Sequence, residues 1–244
     1  MIDRLRRALL RQAMATAALV SISARAVGLI NTPDSKAAPP PDSQQEIDVV
    51  VGRAHELLTA LNAPDVISFL KDWPSTSARR PVVPSSIPVL RWLQPMQAQA
   101  EKFSASFVEG LVTGASLLSW RRGYKESDVG AEFLDNYGWT EFVGLTGALP
   151  SERLACGVLL LGPHQTYPPH RHEADEIYVP VVGTAAWKDG TAPWRDRPPG
   201  AVIHHARYEP HAMRTGASPM LALYLWRSDN LAQHAILDPP SPAT

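Results

Sequence analysis

Four residues within nine positions, His170, His172, Glu176 and Tyr178, are of the types that bind metals and move protons. They share one parity. Side chains two apart on a strand point to the same face, so this set can converge while Ile177, Val179 and Val181 face the other way. Imidazoles beside a carboxylate suit a divalent transition metal such as Zn, Fe, Mn, Ni or Co. Burying such groups costs several kcal/mol unless they are paired or coordinated. Nothing basic lies in register to pair Glu176, because Arg171 falls on the opposite face. The stretch PPGAVIHHARYEPHAMRT, residues 198–215, supplies a fourth ligand in His211. On an alternating strand one of His204 and His205 must also point inward, and either is an alternative to His211 if the turn is misregistered. Glu173 and Asp175 have the wrong parity and read as solvent-facing acids, and His164 as a loop residue.

The rest of the chain narrows what this cluster can serve. Of eight histidines, six fall between His164 and His211, which leaves His55 and His234 as ordinary surface or helix residues. Cys156 is the only cysteine, so an intrachain disulfide and a cysteine-rich zinc module are both excluded. A formal net charge of −1 over 244 residues gives no basic footprint for a nucleic-acid partner. No apolar run reaches the ~18 residues of a transmembrane helix. Near the start, Arg4, Arg6, Arg7 and Arg11 precede AMATAALVSISA, and Ala24-Arg25-Ala26 fits a small-x-small cleavage pattern. That core is poor in Leu, so an Arg-rich extension of a cytoplasmic protein is the preferred reading and export through a signal-like segment the alternative.

Elements must hold the cluster in place. Residues 31–45, NTPDSKAAPPPDSQQ, have almost nothing to bury and read as a linker, with folded structure expected from about Glu46. Ile47, Val50, Val51, Ala54, Leu57, Leu58 and Leu61 recur at helical spacing, and Pro64 divides two helices. A breaker-rich loop, residues 74–88, contains Arg79 and Arg80 as solvated charges. Leu90, Leu93, Phe103, Phe107, Leu111, Ala115 and Leu118 form a second helical stripe, interrupted near Pro95. After Tyr124 short apolar or alternating runs (TEFVG, ACGVLLL, EIYVPVV, AAWKD, AVIHHA, MLALYLW) are separated by Gly and Pro, which indicates an antiparallel sandwich or barrel. The expected organisation is an extension and linker at 1–45, a helical segment at 46–124, a β-barrel at 125–238 and a tail at 239–244.

Gly183 completes the pattern H-x-H-x3-E-x6-G on His170, His172 and Glu176, and His211 lies eleven residues after Gly200. Together these resemble the two metal-binding motifs of the cupin superfamily. Many cupins have a Pro-x-Gly turn before the last histidine, where this chain has His205 to Pro210, so that strand's register stays open. Tyr167, Tyr178, the run Pro210 to Thr215, Tyr224 and Trp226, with WRRGYKESDVGAEFLDNYGWTEFVG upstream, resemble the cupin-type dimethylsulfoniopropionate (DMSP) lyases. The resemblance spans roughly residues 46–237. It implies a mainly β fold with an α-helical N-terminal half, a cupin (double-stranded β-helix, jelly-roll) barrel capped by helices.

The resemblance implies a metal held by His170, His172, Glu176 and His211, Tyr178 as general base, and Tyr167, Trp226 and Tyr224 holding DMSP or a related β-substituted carboxylate. Elementary chemistry agrees. A β-elimination needs a base for the α-proton and a Lewis acid for the charge moving onto the carboxylate. A phenol of ordinary pKa about 10 ionises more readily beside a dication. A sulfonium leaving group is attracted to an aromatic face by about 0.5–2 kcal/mol. On the last strong strand Ala222, Tyr224 and Trp226 share one face and Leu221, Leu223 and Leu225 the other. Two rivals remain: an Fe(II)-dependent dioxygenase on the same ligands, and a cupin that binds a small ligand without turning it over. A homodimer is left open.

Overall fold

The structure, a computed structural model, describes residues 41–238; the signal-like segment, most of the linker and the tail lie outside them. Six α-helices come first: α1 (Pro41–Ala60), α2 (Pro64–Leu70), α3 (Leu93–Gln97), α4 (Ala105–Gly114), α5 (Glu126–Val129) and α6 (Ala131–Asp135). Eleven strands follow: β1 (Tyr137–Gly144), β2 (Leu149–Pro150), β3 (Leu154–Leu161), β4 (Thr166–Arg171), β5 (Asp175–Val182), β6 (Ala185–Asp189), β7 (Arg195–Arg197), β8 (Ile203–His205), β9 (His211–Thr215), β10 (Met220–Arg227) and β11 (Ile236–Leu237). No described helix is long and apolar enough to cross a membrane.

The strands form two sheets, ordered β2-β1-β3-β10-β5-β8 and β11-β4-β9-β6-β7, and make a mostly antiparallel two-sheet barrel with helices packed on the six-stranded sheet. Pro64 opens α2 at its first turn, where a missing N–H costs nothing. The first helix begins at Pro41, inside the stretch read as linker. After Tyr124 the chain makes α5 and α6 before entering β1, so that region is not uniformly strand.

Two apolar layers flank the six-stranded sheet. The outer layer joins Ile177, Val179, Val181, Leu221, Leu223 and Leu225 to Leu58, Val66 and Phe107 of the helices. The inner layer, between the sheets, gathers Tyr137, Leu159, Tyr167, Tyr178, Trp187, Ala222 and Tyr224. The alternation read from β5 and β10 is therefore what the structure shows. Polar contacts fix the helices to the sheet: Ser104 Oγ donates to the Val181 carbonyl (2.8 Å), and the Arg227 guanidinium lies 4.1 Å over Phe69. Phe103, placed on the buried stripe, is instead 38% exposed, because it precedes α4 rather than belonging to it.

Two local features let β5 sit inside the sheet, between β10 and β8. Pro180, which has no N–H for a ladder, falls at the irregularity where β10 shifts register between Leu221 and Ala222. Gly183 ends the strand at φ +79, and a Cβ there would come within 2.1 Å of the Pro219 carbonyl oxygen. The glycine of the motif is thus required by backbone conformation and by close packing.

Candidate metal centre

The ligand residues do not lie on one strand. His170 is near the end of β4, His172 is in the turn, Glu176 is on β5 in the other sheet, and His211 opens β9. The parity argument puts these residues on one strand face, but the chain turns at residues 172–174 and crosses from sheet to sheet, so they converge from both walls of the barrel. His170 and His211 are neighbours across β4 and β9, with ring centroids 4.2 Å apart. All four side chains are buried.

Each histidine has its Nδ1 2.9 Å from a backbone carbonyl, those of Pro168, Ala174 and Glu209 for His170, His172 and His211. A carbonyl only accepts, so Nδ1 donates, and Nε2 is the atom left for the centre of the barrel. One nitrogen from each ring falls within 4.8 Å of the others. The Glu176 carboxylate lies 2.9 Å from His172 Nε2 and 3.1 Å from His211 Nε2. The His211 contact is short in distance yet not aligned as a hydrogen bond, and that nitrogen is a buried atom without a partner. Electron-rich nitrogens facing a carboxylate are reconciled by a cation among them. These residues therefore fit a divalent metal.

The charge states of Glu176 and His170 agree with that occupant. Burial alone would raise the Glu176 carboxyl, but His172 and His211 outweigh it and hold it well below the usual carboxylate range. Burial, and then His211, push His170 well below the ordinary imidazole value. Burial also opposes protonation of His172, but Glu176 outweighs it and raises that imidazole.

Beside the ligands is a cavity of about 330 Å³. Tyr124, Tyr137, Trp139, Tyr167, Tyr178, Tyr224 and Trp226 line it, with Arg121 and Glu141 its main charged groups. Several wall residues also touch the ligands. Trp226 Nε1 donates to Glu176 Oε1, and its ring lies 4.3 Å from that of His172. Tyr167 stacks on His170 at 4.0 Å, and its hydroxyl is 2.7 Å from that of Tyr124. Tyr178 stands 6.5 Å from His211, ring to ring, and burial first and Glu176 second push its phenol well above the ordinary value. Tyr224, opposite Tyr178 across β10 and β5, lies over Gly157, where a Cβ would meet its hydroxyl at 2.7 Å.

Tyr167, Tyr178, Tyr224 and Trp226 thus share one cavity. Sequence reasoning missed Tyr124, Tyr137 and Trp139, although the aromatic density of residues 124–139 was a signal. His234, read as ordinary, lines the cavity as well. Arg80 is not a free loop charge, since its guanidinium donates to the carbonyls of Gly144, Leu145 and Gly147 and holds the loop at the cavity's edge. Arg79 pairs with Asp48 at 2.7 Å. Of the adjacent histidines, His204 faces outward to Asp175 (2.7 Å) and His205 faces inward against His211.

A family model described as dimethylsulfoniopropionate lyase matches residues 63–222. Dimethylsulfoniopropionate lyase DddQ of Ruegeria pomeroyi is 31% identical over 156 residues, 64% of this chain and 78% of that one. Putative dimethylsulfoniopropionate lyase DddL of Cereibacter sphaeroides is 34% identical over 114 residues, 46% of this chain and 47% of that one. The crystal structure of DMSP lyase DddQ from Ruegeria pomeroyi superposes with a TM-score of 0.72 at 27% identity, covering 83% of this chain and all of that one. One described with the DMSP lyases RdDddP and RnDddQII gives 0.73 at 30% identity, over 81% of this chain and all of that one.

Proposed function

The chain belongs to the dimethylsulfoniopropionate lyase family, and on that premise we propose that it cleaves DMSP to dimethyl sulfide and acrylate by a metal-dependent β-elimination based on Tyr178. The observation that carries this reading is the shared wall: the buried imidazole–carboxylate cluster and an aromatic cavity meet at Tyr167, Tyr178 and Trp226. His170, His172, Glu176 and His211 would hold one divalent ion, which supplies a Lewis acid for the negative charge that moves onto the substrate carboxylate.

The remaining roles belong to side chains. Tyr167, Tyr224 and Trp226 present ring faces, which attract a sulfonium by about 0.5–2 kcal/mol without forming a covalent bond or competing for the carboxylate. Of the two carboxylates at hand, Glu141 in the cavity wall accepts from the Thr146 amide and hydroxyl and the Gly147 amide, and Glu176 faces Trp226 and two histidines. Tyr178 stands between that cluster and the cavity, so its oxygen is the base for the α-proton. With the charge of Glu176 offset in the loaded site, the phenol becomes easier to ionise. Removal of the proton leaves a C–H electron pair to form the C=C bond of acrylate. The C–S pair departs on sulfur as neutral dimethyl sulfide, so the products are dimethyl sulfide, acrylate and one proton.

The test is to incubate metal-analysed protein with DMSP under nitrogen and measure dimethyl sulfide by gas chromatography. Turnover without oxygen is expected from the wild type and its loss from Tyr178→Phe with metal still bound. A Phe variant of full activity overturns the assignment of the base, and release that requires oxygen overturns the elimination.

A further inference from the structure

His205 is fully buried, and neither of its ring nitrogens has a hydrogen-bond partner. Leaving buried polar atoms unpaired costs their desolvation with nothing gained in return, so such a residue calls for an explanation. Its surroundings offer one. In one sheet, strand register puts His170, His211 and Asp189 side by side on β4, β9 and β6. In the other it puts Trp226, Glu176 and His205 side by side on β10, β5 and β8. The two rows face each other across the barrel: Glu176 is 3.1 Å from His211, and His205 Nδ1 is 3.5 Å from Asp189 Oδ1. Asp189 Oδ1 is itself buried and otherwise unpartnered. The two rows thus continue past the ligands by one further pair.

The His205 ring lies flat on that of His211, with centroids 4.0 Å apart and planes within 6°. The indole of Trp187 also stacks near it, at 6.1 Å and 25°. Its nitrogens fall outside the group of three histidines whose ligand atoms converge. We propose that His205, aimed by Asp189, is a positioning residue for His211: the stacked ring fixes the plane in which the His211 imidazole presents Nε2, and Asp189 sets the tilt of that ring. The His211 Nδ1 bond to the Glu209 carbonyl fixes one point of its ring, and a face-to-face neighbour fixes its rotation about that point. This inference rests on the reading of the cluster as a metal centre.

The experiment is cobalt(II) affinity of the purified protein by competition with a chelator, together with the visible absorption of the bound cobalt. His205→Leu fills the volume without a flat ring, and it is expected to weaken affinity by about 10–100-fold and to alter the cobalt bands. His205→Phe restores the flat surface and is expected to recover most of the affinity and the wild-type bands. Asp189→Ala should weaken binding less than His205→Leu and, combined with His205→Phe, should add nothing. Thermal melts of each variant establish that it is folded. Affinity and spectrum unchanged in His205→Leu overturn the proposal, as does a His205→Phe variant as weak as His205→Leu, which would make the nitrogens ligands. A wild-type protein that binds no cobalt overturns the metal centre itself, and this inference with it.

Discussion

The two faces of β5 and β10 differ as much as any two regions of this molecule. Facing the helices are Ile177, Val179, Val181, Leu221, Leu223 and Leu225, all buried and all aliphatic. Facing the barrel are Glu176, Tyr178, Tyr224 and Trp226, which carry polar atoms, and the three aromatic residues among them border a cavity. The outer face gains free energy by removing apolar area from water; the inner face surrenders some of that gain to keep groups that need an ion or a substrate to satisfy them. One strand serves both because its side chains alternate, so neighbours in sequence belong to different problems.

Substitutions on the two paired strands should separate the faces. Tyr178→Phe is expected to cut dimethyl sulfide release by about 10²–10⁴-fold, the usual contribution of a general base, with the melting temperature unchanged. On the other face Leu223→Ala should destabilise the fold by about 2–5 kcal/mol in urea unfolding while the folded fraction keeps its turnover number. A large rate loss per folded molecule from Leu223→Ala would show that the faces are not independent.

Titration offers a gentler division. Burial pushes Tyr124 up to about 12 and raises Tyr137 and Tyr224 well above the ordinary phenol value, whereas a phenol in the unfolded chain ionises near 10. Between those values the unfolded chain has released protons that the folded one keeps. Stability from these groups is therefore complete below about pH 10 and lost as pH rises towards 12 and beyond, at about 1.4 kcal/mol per unit for each tyrosine. Denaturant midpoints at pH 9 and pH 11 should show the fall, and replacing Tyr124 with Phe should lessen it. The smallest effect is expected from Tyr224→Leu, which removes one ring from the cavity. An increase in KM matching about 0.5–2 kcal/mol, with little change in kcat, would fit a face that binds the sulfonium.

Much of the inner face was readable because chemistry and parity pointed at the same residues. His170, His172, Glu176 and Tyr178 were selected by types that are costly to bury, and His211 by its spacing from Gly200. What alternation could not reveal was the turn at 172–174, since His172 to Glu176 keeps even spacing whether the chain runs straight or reverses. His205 was ambiguous for a related reason: only pairing with β5 fixes which of two adjacent histidines faces inward. Tyr124 and Tyr137 join Tyr167 through contacts more than 29 residues apart in sequence, beyond the reach of any local pattern. The helical half was legible in its stripes but not in its ends, because Pro41 is as acceptable in a first turn as in a linker.

β10 has a consequence for how the protein comes into being. It lies between β3 and β5, so these strands meet in the sheet only through a segment made some 40 residues after β5. A ribosome that has released every residue of the ligand cluster still holds back the strand that joins β5 to the β1–β3 ladder. During that interval β3 and β5 present open edges, the condition under which sheets recruit foreign strands. Slow translation of residues 183–227 should therefore favour aggregation over maturation, and free metal supplied during that interval should do little to prevent it.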